Sequence, residues 1–303
     1  MGVSLFWLGE FSRARLHWEQ GSSLYDPQQH GALVSSLAGN PVVAGLSYAS
    51  LVLWYLGYPE QALKQSREAI ALAQELAHSY SLSFALFCAA WLHQCRQEGH
   101  CSPRANSGSH KPRNRAGVSV LVAMSTTLRG WVLAVQGQGE EGIAQIREGL
   151  AAHQATGAEL HRPHYLALLA EAYEGVGQIE EGLNALAEAL EIVGRTGERE
   201  YEAELYRLKG ELSLKSRQVK DKSKTTQGKS EVEKEAEECF WKAVEIAQKQ
   251  QAKSLELRAV MSLARLWQQQ GKNAGARRML AEIYGWFTEG FLTPPICKKR
   301  RHC

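Results

Sequence analysis

Two stretches of the sequence decide the fold: Gly137-Gln-Gly-Glu-Glu-Gly-Ile-Ala-Gln-Ile-Arg-Glu-Gly-Leu150 and Gly177-Gln-Ile-Glu-Glu-Gly-Leu-Asn-Ala-Leu-Ala-Glu-Ala-Leu190. They begin 40 residues apart, and the same offset superposes Thr156-Gly157 on Thr196-Gly197. Each stretch opens with a glycine between two helical patterns, and glycine readily supplies the left-handed residue that ends a helix. The sequence therefore predicts an array of helical hairpins that repeats about every 40 residues.

Residue size follows a fixed pattern around each turn glycine. Around Gly177, the residues seven before and five after it, Ala170 and Gly182, are small, because two helices cross there closely. Large residues, Tyr173 and Leu186, lie four before and nine after it. The predicted fold is all-α, a single α-solenoid over residues 1–290. Its hairpins are placed at 43–76, 79–118, 119–156, 159–196, 200–249 and 252–288, after a partial first repeat at 1–25.

The second helix of the sixth hairpin carries Ala236, Phe240 and Ala243. This A-x-x-x-F-x-x-A spacing resembles the second helix of a tetratricopeptide repeat, whose usual period is nearer to about 34 residues. Longer repeats of this type resemble the MalT-like helical arrays of large signalling ATPases. The stretches 56–63, 89–94, 262–271 and 281–290 further resemble the C-terminal repeat region of bacterial proteins that carry a class III adenylate/guanylate cyclase domain and a STAND-type ATPase domain.

That resemblance implies a function. In this family the repeats sense a signal or bind a partner, so the chain is expected to be a non-catalytic scaffold for protein–protein interaction. It would be a detached regulatory region, with an upstream ATPase or cyclase module as one partner. Only half a helix precedes Gly9, which predicts a truncated first hairpin. The alternative is the inducer-sensing region of a LuxR-type, MalT-like transcription regulator, which requires a helix-turn-helix that is not visible after Phe291.

Three segments break the helical pattern. Residues 215–234 have almost no apolar side chains and are predicted to form a flexible loop. Residues 100–117 contain two prolines where the second helix of the third hairpin is expected, yet the 40-residue spacing across them is intact. A compensated reading-frame shift preserves spacing in this way, and we favour it for 100–117 and for the basic tail 291–303. The break at 100–117 is expected to divide the array into two weakly connected blocks.

Charge and hydropathy exclude other classes. The formal net charge is +3, and residues 99–122 and 291–303 together supply eight Lys and Arg without an acid. The basic run at 298–301 is attributed to the shifted frame, so no nucleic-acid partner is predicted. No apolar run reaches the length of a membrane span and no secretory signal is present, so a cytoplasmic chain without a membrane partner is expected.

The sequence offers no chemical motif. Gly228-Lys229-Ser230 lacks the first glycine and the preceding strand of a phosphate-binding loop. His161 and His164 flank Pro163 without the glutamate of a zinc-protease motif, and they are expected at a polar start of a helix. No catalytic residue, cofactor site or metal site is predicted.

The predicted site is a concave groove lined by the first helix of each hairpin. Groove-facing positions lie about ten and six residues before each turn glycine. Their mixed charges and one tryptophan predict a polar peptide as the occupant. The residues at these positions are Thr127, Trp131, Ala167, Glu171, Arg207, Glu211, Met261 and Arg265.

Overall fold

The computed structural model describes residues 1–23, 39–97, 115–220 and 226–289. Within these ranges every regular element is a helix, so the predicted all-α class is confirmed. None of the helices there has the length and hydropathy needed to cross a bilayer. The helices are α1 (Gly2–Trp7), α2 (Phe11–Ser23), α3 (Pro41–Tyr55), α4 (Pro59–Glu75), α5 (Ser79–Cys95), α6 (Arg115–Val135), α7 (Gly139–Ala155), α8 (Arg162–Gly175), α9 (Ile179–Thr196), α10 (Glu202–Lys220), α11 (Thr226–Lys249), α12 (Lys253–Gln269) and α13 (Asn273–Tyr284).

The helices form hairpins that pack in chain order. The pairs α3/α4, α6/α7, α8/α9, α10/α11 and α12/α13 are hairpins, and α4, α7, α9 and α11 each also pack on the helix that follows them. The turn glycines Gly57, Gly137, Gly177 and Gly271 have φ between 79° and 94°. Gln97, one period before Gly137, has φ 57°. This conformation costs a residue with a Cβ atom about 1 kcal/mol. The turn therefore keeps the geometry of the repeat at Gln97 even though the residue is not glycine.

The small residues stand where the helices cross. A Cβ atom built on Gly142 would lie 2.6 Å from the carbonyl oxygen of Gly130 and 2.7 Å from the nitrogen of Ala134. Gly130 and Gly142 are seven before and five after Gly137. The predicted size pattern is therefore confirmed at this crossing.

The N-terminal helices also fold back against distant helices. The Ser254 hydroxyl, at the start of α12, donates a hydrogen bond of 2.5 Å to the carbonyl of Trp54 in α3. The Arg199 backbone N–H donates one of 2.7 Å to the carbonyl of Trp7. One continuous core runs from Leu5 to Leu255 of α12. The prediction of two weakly connected blocks is therefore wrong, because these contacts join 1–97 to the second half of the chain.

The interruptions are shorter than predicted. Helix α10 continues to Lys220 and α11 begins at Thr226, so most of 215–234 is helical and the predicted loop is wrong there. The segment is rich in Lys, Arg, Gln and Glu, which have high helix propensity. These residues extend α10 and α11 beyond the turns that pack against other helices. Of 100–117, residues 115–117 belong to α6 and the rest lies outside the described residues, as does the tail 291–303.

Candidate functional site

Five of the predicted groove residues are brought together on neighbouring first helices. Trp131 Nε1 donates a 2.7 Å hydrogen bond to Glu171, which lies one period later in the sequence. Arg207 forms a 2.8 Å ion pair with Glu211, and Arg265 lies 3.7 Å from the same carboxylate. These contacts join α6 to α8 and α10 to α12, and the charges of Glu171 and Arg207 interact between α8 and α10. We call Trp131, Glu171, Glu204, Arg207, Glu211, Arg258, Ser262 and Arg265 the inner strip.

Three members of the inner strip were not predicted. Glu204 pairs with Arg207 at 2.7 Å and with Arg258 at 3.0 Å, and the Ser262 hydroxyl donates to Glu211 at 2.7 Å. Arg258 also donates to the carbonyl of Cys95. The sequence did contain a signal: Glu204 is three residues before Arg207, and spacings of three and seven return to the same helix face.

The inner strip is buried at one end and exposed at the other. Trp131 is 3% exposed and Arg207 is buried, whereas the side chains of Glu211 and Arg265 are 24% and 58% exposed. Met261, beside Arg265 on α12, is half-buried against the α12–α13 core. The expectation of a solvent-lined groove is thus wrong for Trp131 and Arg207, because the N-terminal helices extend the core over this end.

Thr127 and Ala167 do not line a groove. Both are fully buried, and the Thr127 hydroxyl donates to the carbonyl of Ala123 on its own helix at 3.2 Å. The position ten residues before the turn glycine therefore faces the core in these hairpins. The prediction is wrong for both residues.

The charges of the inner strip stabilise one another. Burial alone would raise the pKa of Glu204, but the guanidinium groups of Arg207 and Arg258 outweigh it and lower that pKa to about 2. The same competition, with Arg207 as the main cation, lowers the pKa of Glu211. Burial and then the nearby Glu204 raise the pKa of Glu171. Glu204 is therefore an ionised carboxylate between Arg207 and Arg258 at the buried end of the inner strip.

A second polar cluster lies where the N-terminal helices meet α8 and the loop before α10. His164 Nε2 is 3.0 Å from Gln94 Oε1 in α5, and its Nδ1 is 3.7 Å from a carboxylate oxygen of Glu200. The backbone N–H of His161 donates to Glu198 at 2.9 Å. We call His161, His164, Glu198 and Glu200 the junction cluster.

The junction cluster is buried, not solvated. Both histidines were expected at a polar start of a helix, and His161 does directly precede α8, but both side chains are buried because the N-terminal helices cover them. His161 packs edge-on against Trp7 and Trp91, with ring centroids 4.4 and 4.6 Å apart. His164 stacks on Tyr201 at 4.1 Å. Packing this tight leaves no room for a ligand between the rings.

Burial shifts the pKa of all four side chains of the junction cluster in the direction that favours their uncharged forms. It raises the pKa of Glu200 to about 8, and burial with the adjacent Glu200 raises the pKa of Glu198 to about 8. Burial lowers the pKa of His164 to about 3 and the pKa of His161 well below its usual value. At neutral pH the cluster is therefore a set of uncharged acids and imidazoles between two halves of the fold.

Neither cluster offers a metal site. Among the residues that the structure describes, no three or more His, Cys, Asp or Glu side chains are arranged to hold a metal ion. Comparison with known proteins gives no independent assignment, since no family model matches the chain and no curated protein matches it significantly.

Proposed function

We propose that the chain is a non-catalytic repeat scaffold that binds a protein or peptide partner through the exposed end of the inner strip. It would serve as a cytoplasmic regulatory region of the cyclase/ATPase signalling type that the repeat stretches resemble. The observation that carries the proposal is that the inner strip is built from side chains of successive first helices. Four first helices contribute to the strip, α6 through Trp131 and α8, α10 and α12 through charged residues, and Arg265 is left 58% exposed at its end.

The exposed end has the chemistry to exchange partners. An ion pair near the protein surface contributes little to stability, and the exposed Arg265 is only loosely paired with Glu211 at 3.7 Å. A carboxylate on a partner can therefore replace Glu211 at small cost. Met261, half-buried beside it, offers an apolar contact. The partner we expect is a peptide with an acidic residue next to an apolar one.

The test is selection of peptides from a displayed random library on the purified full chain. We expect the selected peptides to share an acidic residue beside an apolar one. Their affinity should fall at least tenfold for Arg265→Glu and stay unchanged for Arg277→Glu, an exposed arginine on α13. Peptides without this pattern, or an equal loss for both variants, would refute the proposal.

A second measurement tests the non-catalytic part. The purified chain, supplied with Mg²⁺ and ATP or GTP, should release neither phosphate nor a cyclic nucleotide above the buffer rate. Clear turnover of either nucleotide by the purified chain would overturn this part of the proposal.

A further inference from the structure

The connection between α9 and α10, residues 197–201, inserts two acidic side chains into the junction cluster. Glu198 is 4% exposed and Glu200 is fully buried, whereas Arg199 between them is exposed. The stretch therefore alternates between the interface with the N-terminal helices and solvent. We call residues 197–201 the junction loop.

A small set of hydrogen bonds joins the junction loop to other elements. The Arg199 backbone N–H donates to the carbonyl of Trp7 in α1 at 2.7 Å, and the Gln250 side chain donates to the Arg199 carbonyl at 2.7 Å. The His161 backbone N–H donates to Glu198 at 2.9 Å. Water can replace each of these bonds when the loop opens, so each contributes little net free energy.

Neither carboxyl of the junction loop is paired with a lysine or arginine of the described chain. Arg199 pairs with Glu202 at 3.0 Å, and Arg258 of α12 pairs with Glu204 at 3.0 Å. The titratable groups that face the two carboxyls are uncharged near neutral pH: His161, His164 and Tyr165 of α8, Tyr55 of α3, Cys95 of α5 and the adjacent Tyr201. A carboxylate charge without a cation is costly in such surroundings, and exposure to water removes that cost.

The closed loop therefore holds protons that a solvated loop would release. Burial raises the pKa of Glu200 to about 8, and burial together with Glu200 raises the pKa of Glu198 to about 8. A solvated glutamate has a pKa of about 4.3. Between these limits the released loop loses protons that the buried loop keeps, so the equilibrium for release grows as the pH rises towards 8.

We propose that the junction loop is a pH-operated switch: loss of the protons of Glu198 and Glu200 releases residues 197–200 from the interface and breaks their bond to α1, while the helices on both sides stay folded. Protonation closes the loop again. The link between α1 and the α9–α10 connection is thus made at low pH and broken at high pH. The switch lies in the junction cluster and not in the inner strip, so the inference stands independently of the function proposed above.

Hydrogen exchange of the full chain, read at single amides by NMR, tests the local opening. In the wild type, the protection factor of the Arg199 amide should fall at least tenfold between pH 6 and pH 8, after correction for the intrinsic exchange rate. Urea below the unfolding transition should leave its exchange rate unchanged, because local opening exposes little surface. The amide of Leu263, in the buried middle of α12, should instead exchange faster as urea is added.

Variants test the role of the two carboxyls. With Glu198→Gln and Glu200→Gln together, the protection factor of the Arg199 amide should change less than twofold over the same pH range. The matched control combines Glu181→Gln and Glu191→Gln, two exposed carboxyls of α9, and should keep the wild-type fall. Circular dichroism verifies that each variant is folded.

Two results would overturn the proposal. One is an Arg199 amide whose exchange follows urea as that of Leu263 does, because the loop would then open only when the whole chain unfolds. This comparison uses the wild type alone and does not depend on the folding of a variant. The other is a wild-type fall in protection that persists in the folded Glu198→Gln, Glu200→Gln variant.

Discussion

Nδ1 of His164 lies 3.7 Å from a carboxylate oxygen of Glu200, and both side chains are buried between the N-terminal helices and the rest of the fold. This relationship predicts a pH dependence of stability. The pKa of Glu198 and of Glu200 is raised to about 8, so the folded chain holds two protons that the unfolded chain has lost at pH 6.5. A raised carboxyl pKa stabilises at low pH, and the stabilisation is lost as pH rises through the folded pKa.

The histidines set the lower limit of the pH range in which only the two carboxyls change their protonation. Their folded pKa values are lowered, so they oppose folding as pH falls below 6.5 and add nothing above it. Between pH 6.5 and 8 only the two carboxyls of this cluster change their protonation, so the free energy of unfolding should fall as the pH rises. Urea unfolding at several pH values measures this. Glu200→Gln should flatten the slope, and an unchanged slope in that variant would contradict the assignment.

Trp131→Phe should destabilise the chain. The substitution removes the hydrogen bond to Glu171 and leaves a partly buried carboxyl without its donor, which costs about 1–3 kcal/mol. Thermal or urea unfolding gives the value. Trp241→Phe is the control, because Trp241 is exposed and its replacement should change stability by less than about 0.5 kcal/mol. Equal effects of the two variants would mean that the Trp131–Glu171 bond contributes nothing.

Glu204→Gln should be among the most damaging single changes. It leaves Arg207 and Arg258 buried side by side without the carboxylate that pairs with both, and breaking a buried pair costs about 3–5 kcal/mol. Glu245→Gln, which breaks the exposed pair with Lys242, should cost less than about 1 kcal/mol. A mild effect at Glu204 would show that water reaches the two arginines.

Gly142→Ala tests the close crossing of α6 and α7, and Gly194→Ala is its control. Gly142→Ala would place a Cβ 2.6 Å from the Gly130 carbonyl oxygen, so the helices must separate and the chain should lose about 1–3 kcal/mol. Gly194→Ala, in α9, meets nothing within 4 Å and should stabilise by about 0.5–1 kcal/mol. A tolerated Gly142→Ala would mean that the crossing is looser than described.

The periodicity of the sequence predicted the hairpins because a repeat encodes contacts between neighbours. The turn at Gln97 follows the 40-residue spacing although no glycine marks it. Periodicity carries no information on contacts such as Ser254 with Trp54, which are 200 residues apart. For the same reason it placed Trp131 in an open groove, since it could not anticipate that Trp131 joins a core shared with the N-terminal helices. Thr127 is buried instead at the crossing with α7, beside Gly149.

The fold-back has a consequence for synthesis on the ribosome. The face of α3 that accepts the Ser254 hydroxyl and contacts Arg258 is complete once residue 55 has emerged, but its partners are translated about 200 residues later. At 5–20 residues per second this delay is on the order of 10–40 s. Throughout that interval the Trp54 indole lacks the Arg258 guanidinium that lies 5.2 Å from its ring, so a chaperone, or a neighbouring nascent chain, can occupy this position first.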